Sequence, residues 1–321
     1  MSAASSALPR SHVRSFAKRL RAGDQLAYTL TLICAASILL VTCLLVYELW
    51  LGSALARHKF GWNFIFTSTW DPVQEKFGAV PFMFGTVVTS LVSLLISVPI
   101  GIGAAIFLAE MALPRISDIL TFLIELLAAV PSVIYGVLGR FLMVPILESA
   151  VVPPLKAVLG FLPLFSGTFY GVSLFSASVV LAVMIVPFII SVSREVLLAV
   201  PVDQREAALS LGATKWETTW QVVVPFAKRG IFGSIFLALA RALGETMAVT
   251  MVIGNTPKVQ TSLLAPGYSI AAVIANEFTE ATSDIHISAL VELGLVLFAI
   301  TIIINGLARL MILTTGARVV K

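Results

Sequence analysis

Glu206-Ala207-Ala208-Leu209-Ser210-Leu211-Gly212, followed after nine residues by Val222-Val223-Val224-Pro225, is a polar, helix-forming island between two long apolar segments. Pro201 precedes it and ends the apolar helix before it. Asp203, with Glu206 three residues on, has the spacing of a capping box. Gly212 suits the left-handed position just past a helix end. Thr214 and Glu217 repeat the box and open a second helix that runs to Pro225. The stretch therefore predicts two short helices with a glycine corner, held at a membrane surface.

Working outward, the composition supplies the membrane. Of 321 residues, 59% are hydrophobic and 12% charged, with a mean hydropathy of +1.01, where a soluble domain carries about 25% charge. Runs near twenty apolar residues predict transmembrane helices. They fall at about 26–50, 82–109, 119–147, 171–193, 231–254 and 287–308, so the fold class is an all-α membrane protein with six transmembrane helices. The third run is the least regular, because Glu125, Pro131 and Arg140 interrupt it, and Pro131 predicts a kink. The organisation reads as a basic, mobile N-terminal tail (1–25) and one transmembrane domain (26–321), with a polar loop at 194–230.

Orientation follows from the basic residues. With the N-terminus inside, the inner segments hold Arg10, Arg14, Lys18, Arg19, Arg21, Arg115, Arg194, Arg205, Lys215, Lys228, Arg229, Arg309, Arg318 and Lys321. The outer ones hold Arg57, Lys59, Lys76, Lys156 and Lys258. This positive-inside asymmetry places the Glu206–Pro225 stretch in the cytoplasm. The formal charge of +4 is spread over loops beside the membrane and implies no nucleic acid. In the outer loop 51–81, Trp62 and Trp70 fit the membrane interface.

The fifth run contains Arg241-Ala242-Leu243-Gly244-Glu245-Thr246-Met247-Ala248-Val249-Thr250. A charge at the centre of a membrane helix costs roughly 2.5–3.5 kcal/mol on insertion scales. On one continuous helix, Arg241 and Glu245 share a face at i and i+4 and would form a salt bridge. The alternative reading adds an anion: the planar fork of Arg241 matches phosphate or carboxylate oxygens. Glu245 would then hold the arginine between substrates, and Thr246 would add a polar wall. Both readings stay open on spacing alone. Glu292 falls near the outer end of the sixth helix, where it would reach water.

No stretch fits the phosphate-binding loop of an ATPase. His12, His58 and His286 are scattered and expected near the surface, and nothing suggests a metal site. Cys34 and Cys43 both fall inside the first helix, as small packing residues.

The Glu-Ala-Ala stretch, the glycine at its seventh position and the Pro-ended apolar tripeptide resemble the EAA loop of ABC importer permeases, with Val222 and Val224 where that family more often has Ile and Leu. The resemblance implies the type I (MetI-like) permease fold. It also implies that Glu206, Ala207, Ala208, Gly212 and Pro225 dock a separate ATPase. Residues 241–255, with Leu264-Ala265-Pro266-Gly267-Tyr268 and Ile274-Ala275-Asn276-Glu277-Phe278, are similar to the PstC family of phosphate importer permeases. That similarity implies a bacterial inner-membrane subunit paired with a PstA-type permease, two copies of a PstB-type ATPase and a PstS-type phosphate-binding protein. It links Arg241 and Glu245 to phosphate passage. No cofactor is implied for this chain, since ATP and Mg would be used by the partner ATPase. The competing readings are a permease for sulfate, molybdate or phosphonate, an ion-coupled transporter using Arg241 and Glu245 as a proton relay, and a scaffold or sensing partner without flux.

Overall fold

A computed structural model describes residues 10–316 of the chain, with side chains for 25–310. The chain divides into two units, 1–52 and 53–321. The described residues of the first unit form one unbroken helix, α1 (Arg10–Gly52), which reaches back into the basic segment. Among the described residues, everything regular in the second unit is helical except one isolated bridge between Asp71 and Lys76.

The second unit opens with α2 (Ala54–Phe60) and α3 (Asn63–Phe66) and then enters the long α4 (Val80–Ile106), which closes in a π-turn, Phe107–Met111. Pro81 sits in the first turn of α4, where its missing N–H costs nothing. One side of α4 is small and buried: Thr86, Thr89, Ser90, Ser93, Ser97, Gly101 and Ala105. Lipid offers no hydrophobic drive between helices, so such a stripe works by letting backbones approach. Thr86, Thr89 and Ser93 are bonded back to carbonyls of their own helix.

The helix received by this stripe is α9 (Leu174–Leu198), and that pair makes the most extensive contact in the unit. Ser173 caps α9 by accepting from Ser176 N–H at 3.0 Å. Between α4 and α9 the chain builds α5 (Pro114–Ala128), α6 (Ser132–Leu138), α7 (Val144–Ile146) and α8 (Val152–Leu159), with π-turns at Gly139–Met143 and Leu147–Val151. Past α9 come α10 (Val202–Ser210), α11 (Lys215–Thr218), a π-turn (Thr219–Val223), α12 (Val224–Leu243), α13 (Met247–Thr250), α14 (Ile270–Glu277) and α15 (Asp284–Gly316).

Among the described residues, six helices are long and apolar enough to cross a membrane: Gln25–Gly52, Val80–Met111, Ser132–Leu159, Leu174–Leu198, Lys215–Leu243 and Asp284–Leu310. Two of these differ from the expected runs. The third is not a kinked 119–147 helix but is broken outright at Ala129–Pro131. Its first piece, α5, starts beside the ends of α4 and α9, where Ser117 Oγ donates to Leu108 O at 2.9 Å. By Val144 the chain has reached Gly171, just before α9 begins. Contacts therefore spread this crossing over α5, α6 and α7, although the longest apolar helical stretch lies after the break. The fifth starts earlier than 231 and stops at Leu243, not 254.

Three packed clusters stack along the bundle. The central one joins α4, α9, α12 and α13 around Leu181, Ile185, Ala238 and Val252. One end is closed by Ala105, Leu108, Leu197, Val223 and Ala227, next to α10. The other end gathers Phe64, Phe77, Phe82, Tyr268 and Leu293. Trp70 belongs to this last cluster, 8% exposed and donating Nε1–H to Glu277 at 2.9 Å, so it is core and not an interface anchor. His286 is likewise buried, stacked on Phe77 and bonded to Glu277 at 3.1 Å. Glu292 is buried too, at 5% exposure, and does not reach water.

Candidate functional site: a docking loop and a broken membrane helix

At the loop, the two predicted helices and the glycine corner are present. Helix α10 ends at Ser210, and Gly212 takes φ +89°. Gly212 N–H donates to Leu209 O and Ala213 N–H to Ala208 O, the paired bonds of a Schellman end. Thr214 and Glu217 form the expected capping box. The first box is absent. Pro201, not Asp203, stands at the N-cap of α10, and Asp203 lies in the first turn, where a carboxylate favours the positive end of the helix. The second helix also does not stop at Pro225. Proline in a regular helix clashes with the carbonyl four residues back, and here a π-turn over Thr219–Val223 comes immediately before it. The helix thereby continues through Pro225 to Leu243.

Helix α10 buries no residue completely. Glu206, Ala207, Gly212 and Pro225 are exposed, and Ala208 is half-buried. The exposed set shares this end of the bundle with Leu211 and Trp216, which are 89% and 58% exposed. A bare helix with small residues and two exposed carboxylates, Asp203 and Glu206, suits a protein partner better than a packed core. Sequence reasoning missed Arg205, which it counted only as a basic loop residue. Arg205 pairs with Glu110 at the end of α4 at 2.8 Å, and its neighbour Glu206 faces outward.

Arg241 and Glu245 are not the i, i+4 pair of one helix. Helix α12 ends at Leu243, Gly244 caps it, and the chain restarts at Met247. The two side chains form no ion pair. Glu245 Oε1 instead accepts from Ala248 N–H at 3.2 Å, so its carboxylate serves the start of α13. Thr246 lies in the break between them, and its carbonyl accepts from Thr250 Oγ1 at 2.7 Å. Arg241 is exposed, with its guanidinium 5.7 Å from the centre of the Phe188 ring, a cation–π contact. Phe188 is near the middle of the 25-residue α9, which puts Arg241 at mid-height in the bundle.

The two breaks are neighbours. Helix α13 packs on α6, the piece that begins just after the Ala129–Pro131 break. Gly136 of α6 faces Met251 and the Ala248 backbone so closely that a Cβ there would lie 2.7 Å from Met251 Sδ. Tyr135, also on α6, donates its hydroxyl to Leu127 O at 2.7 Å, a carbonyl at the break that also accepts from Val130 N–H at 3.2 Å. Interrupted membrane helices need such partners for their backbone. In transporters, irregular backbone at this depth is tolerated where it lines a cavity or is covered by protein.

Comparison with known proteins fits this geometry. Residues 97–313 match the family described as binding-protein-dependent transport system inner membrane component. A phosphate transport system permease protein PstC from Mesorhizobium japonicum is 43% identical over 324 residues, covering 99% of this chain and 99% of that protein. Its namesake from Pasteurella multocida is 46% identical over 283 residues, covering 87% and 88%. Among solved structures, two inward-facing forms of the MetNI methionine ABC transporter match. One has a TM-score of 0.54 at 16% identity, over 73% of this chain and 94% of that one. The other has 0.50 at 18%, over 72% and 94%. At that identity they speak for the fold alone, which is the type I ABC importer permease fold. From the matched residues, and from relatives that run along nearly all of it, the chain belongs to the binding-protein-dependent transport system inner membrane components, among the PstC permeases.

Proposed function

We propose that this chain is the membrane permease subunit of an ATP-binding cassette importer that carries inorganic phosphate into the cytoplasm. It would pair with a PstA-type permease, take up phosphate from a PstS-type binding protein, and be driven by two copies of a PstB-type ATPase. The chain itself would carry no ATPase chemistry; ATP and Mg belong to the partner. It would sit in a bacterial inner membrane with its N-terminus and the 194–230 loop in the cytoplasm.

The observation that carries the reading is Arg241, a guanidinium at mid-height, exposed and without an anionic partner among the described residues. An arginine there is too costly to leave facing lipid, so it must face a polar route or a partner subunit. Its donors fit phosphate oxygens in a bidentate manner. Glu245 and Thr246, in the break beside it, would complete a polar lining. Glu245 being held by α13 leaves the guanidinium available to the substrate. Glu206, Ala207 and Ala208, with Gly212 setting the corner of the loop and Pro225 in the exposed first turn of α12, would form the ATPase docking surface.

The test is ATP-driven uptake of labelled phosphate into proteoliposomes containing the chain with its partner permease, ATPase and binding protein. The parent is expected to take up phosphate, with competition by unlabelled phosphate and not by sulfate. Arg241→Gln is expected to lower uptake by about a hundredfold, as for loss of one preorganised electrostatic donor, with subunit assembly unchanged. An assembled, ATP-hydrolysing complex that moves no phosphate would overturn the substrate assignment.

A further inference from the structure

Arg205, one residue before the docking triplet, ties α10 to the membrane helices. Its Nη2 donates to Glu110 Oε1 at 2.8 Å, and its Nε reaches both carboxylate oxygens at 3.3 Å. Nη2 also donates to Leu197 O at 2.8 Å, and Nη1 donates to Val200 O. Glu110 lies in the π-turn that closes α4, and Leu197 is in the last turn of α9. The two side chains retain only 18% and 11% exposure.

Three negative features meet at this guanidinium. The ends of α4 and α9 both carry the partial negative charge and unpaired carbonyls of a helix C-terminus. Glu110 adds a full charge where the dipole disfavours it. The planar fork of an arginine reaches the Glu110 carboxylate and the Leu197 and Val200 carbonyls from one position, whereas a lysine offers one compact charge. Around the pair the packing is thin. A cavity of about 140 Å³, lined by Glu110, Arg205, Leu209, Lys215, Thr218 and Thr219, separates α10 from its neighbours. With no fully buried side chain of its own, α10 has few other ways to transmit a push.

We infer that Arg205 is a positioning residue that makes α10 move as one body with the ends of α4 and α9. Force applied by the ATPase to the exposed face of α10 then reaches the helices around Arg241 instead of bending the loop. The inference rests on the importer reading above, since it presupposes an ATPase at α10.

Two variants and two readouts test it in the reconstituted complex. Arg205→Lys keeps the charge and loses the fork. Glu110→Gln keeps Arg205 and its carbonyl bonds, and covers the case in which the first variant does not assemble. The expected result is ATP hydrolysis within about twofold of the parent and uptake per ATP lower by about tenfold for Arg205→Lys, with Glu110→Gln between the two. Uptake per ATP within about twofold of the parent in both variants would overturn the inference. Loss of ATPase co-purification would overturn it as well, because the residue would then serve docking. The second readout needs no substrate. With Cys34 and Cys43 replaced by serine, spin labels at Leu113→Cys and Ser210→Cys should keep one separation through the ATP cycle in the parent and change it in Arg205→Lys. Equal constancy in both counts against Arg205. A parent that shows the constant separation but moves no phosphate counts against the substrate alone.

Discussion

A charged side chain halfway through a membrane has to be matched or put to use, and the two candidates at the break in α12 are treated differently. Glu245 is matched by the Ala248 N–H; Arg241 lies against the face of Phe188 and has no ion pair among the described residues. The sequence made both residues conspicuous through their cost. It could not assign their partners, because Gly244-Glu245-Thr246 inside an apolar run reads as continuous helix, and the i, i+4 pairing followed from that. The break is a tertiary matter, set by α13 packing on α6. Gly212 is the opposite case, legible because its requirement is local. Nothing lies within 4 Å of a Cβ built on it, so only its φ of +89° resists substitution. Gly212→Ala should therefore cost about 1 kcal/mol, seen as hydrogen exchange over residues 203–214 faster by about fivefold. An unchanged exchange rate would mean the corner is not held as described.

At the scale of the element, α4 is decided by what approaches it. A Cβ on Gly85 would stand 2.0 Å from the Tyr268 carbonyl oxygen, and the neighbouring Thr86 Oγ1 accepts from the buried Ile270 N–H at 2.9 Å. A loop after the break in the fifth crossing is thus laid directly on the α4 backbone. Gly85→Ala forces them apart, an overpacking cost of about 1–3 kcal/mol. The thermal midpoint of the purified protein should fall by about 5 °C, while Leu95→Ala, on the face of α4 that is 77% exposed at that residue, should move it by about one degree or less. Equal shifts would remove the case for this contact. The small-residue side of α4 could be read from spacing, but its far-off partner at Tyr268 could not, since a contact across 183 positions leaves no local trace. For the same reason Arg205 passed as one basic loop residue among many, when its function is set by Glu110 in another helix.

For the whole molecule, the placement of charge and the placement of α10 make one claim between them. The basic residues are distributed so that the segments sharing a side with α10 hold most of them, and that asymmetry is read during insertion, before any tertiary contact forms. The structure separates the two ends independently. Trp62, 80% exposed, lies between Phe60 and Phe64 of the cluster at the start of α4, and Ser210 stands beyond its finish. The 27 residues of α4 put these ends about 40 Å apart at 1.5 Å per residue, enough to span a bilayer core. In a chain with Cys34 and Cys43 replaced by serine, a membrane-impermeant maleimide should label Ser210→Cys in inverted vesicles and Trp62→Cys in right-side-out ones. Labelling of both positions from one side would defeat the odd number of crossings between them. Labelling with the sides exchanged would leave the fold intact but turn the α10 surface away from any cytoplasmic ATPase, and the importer reading would fall with it.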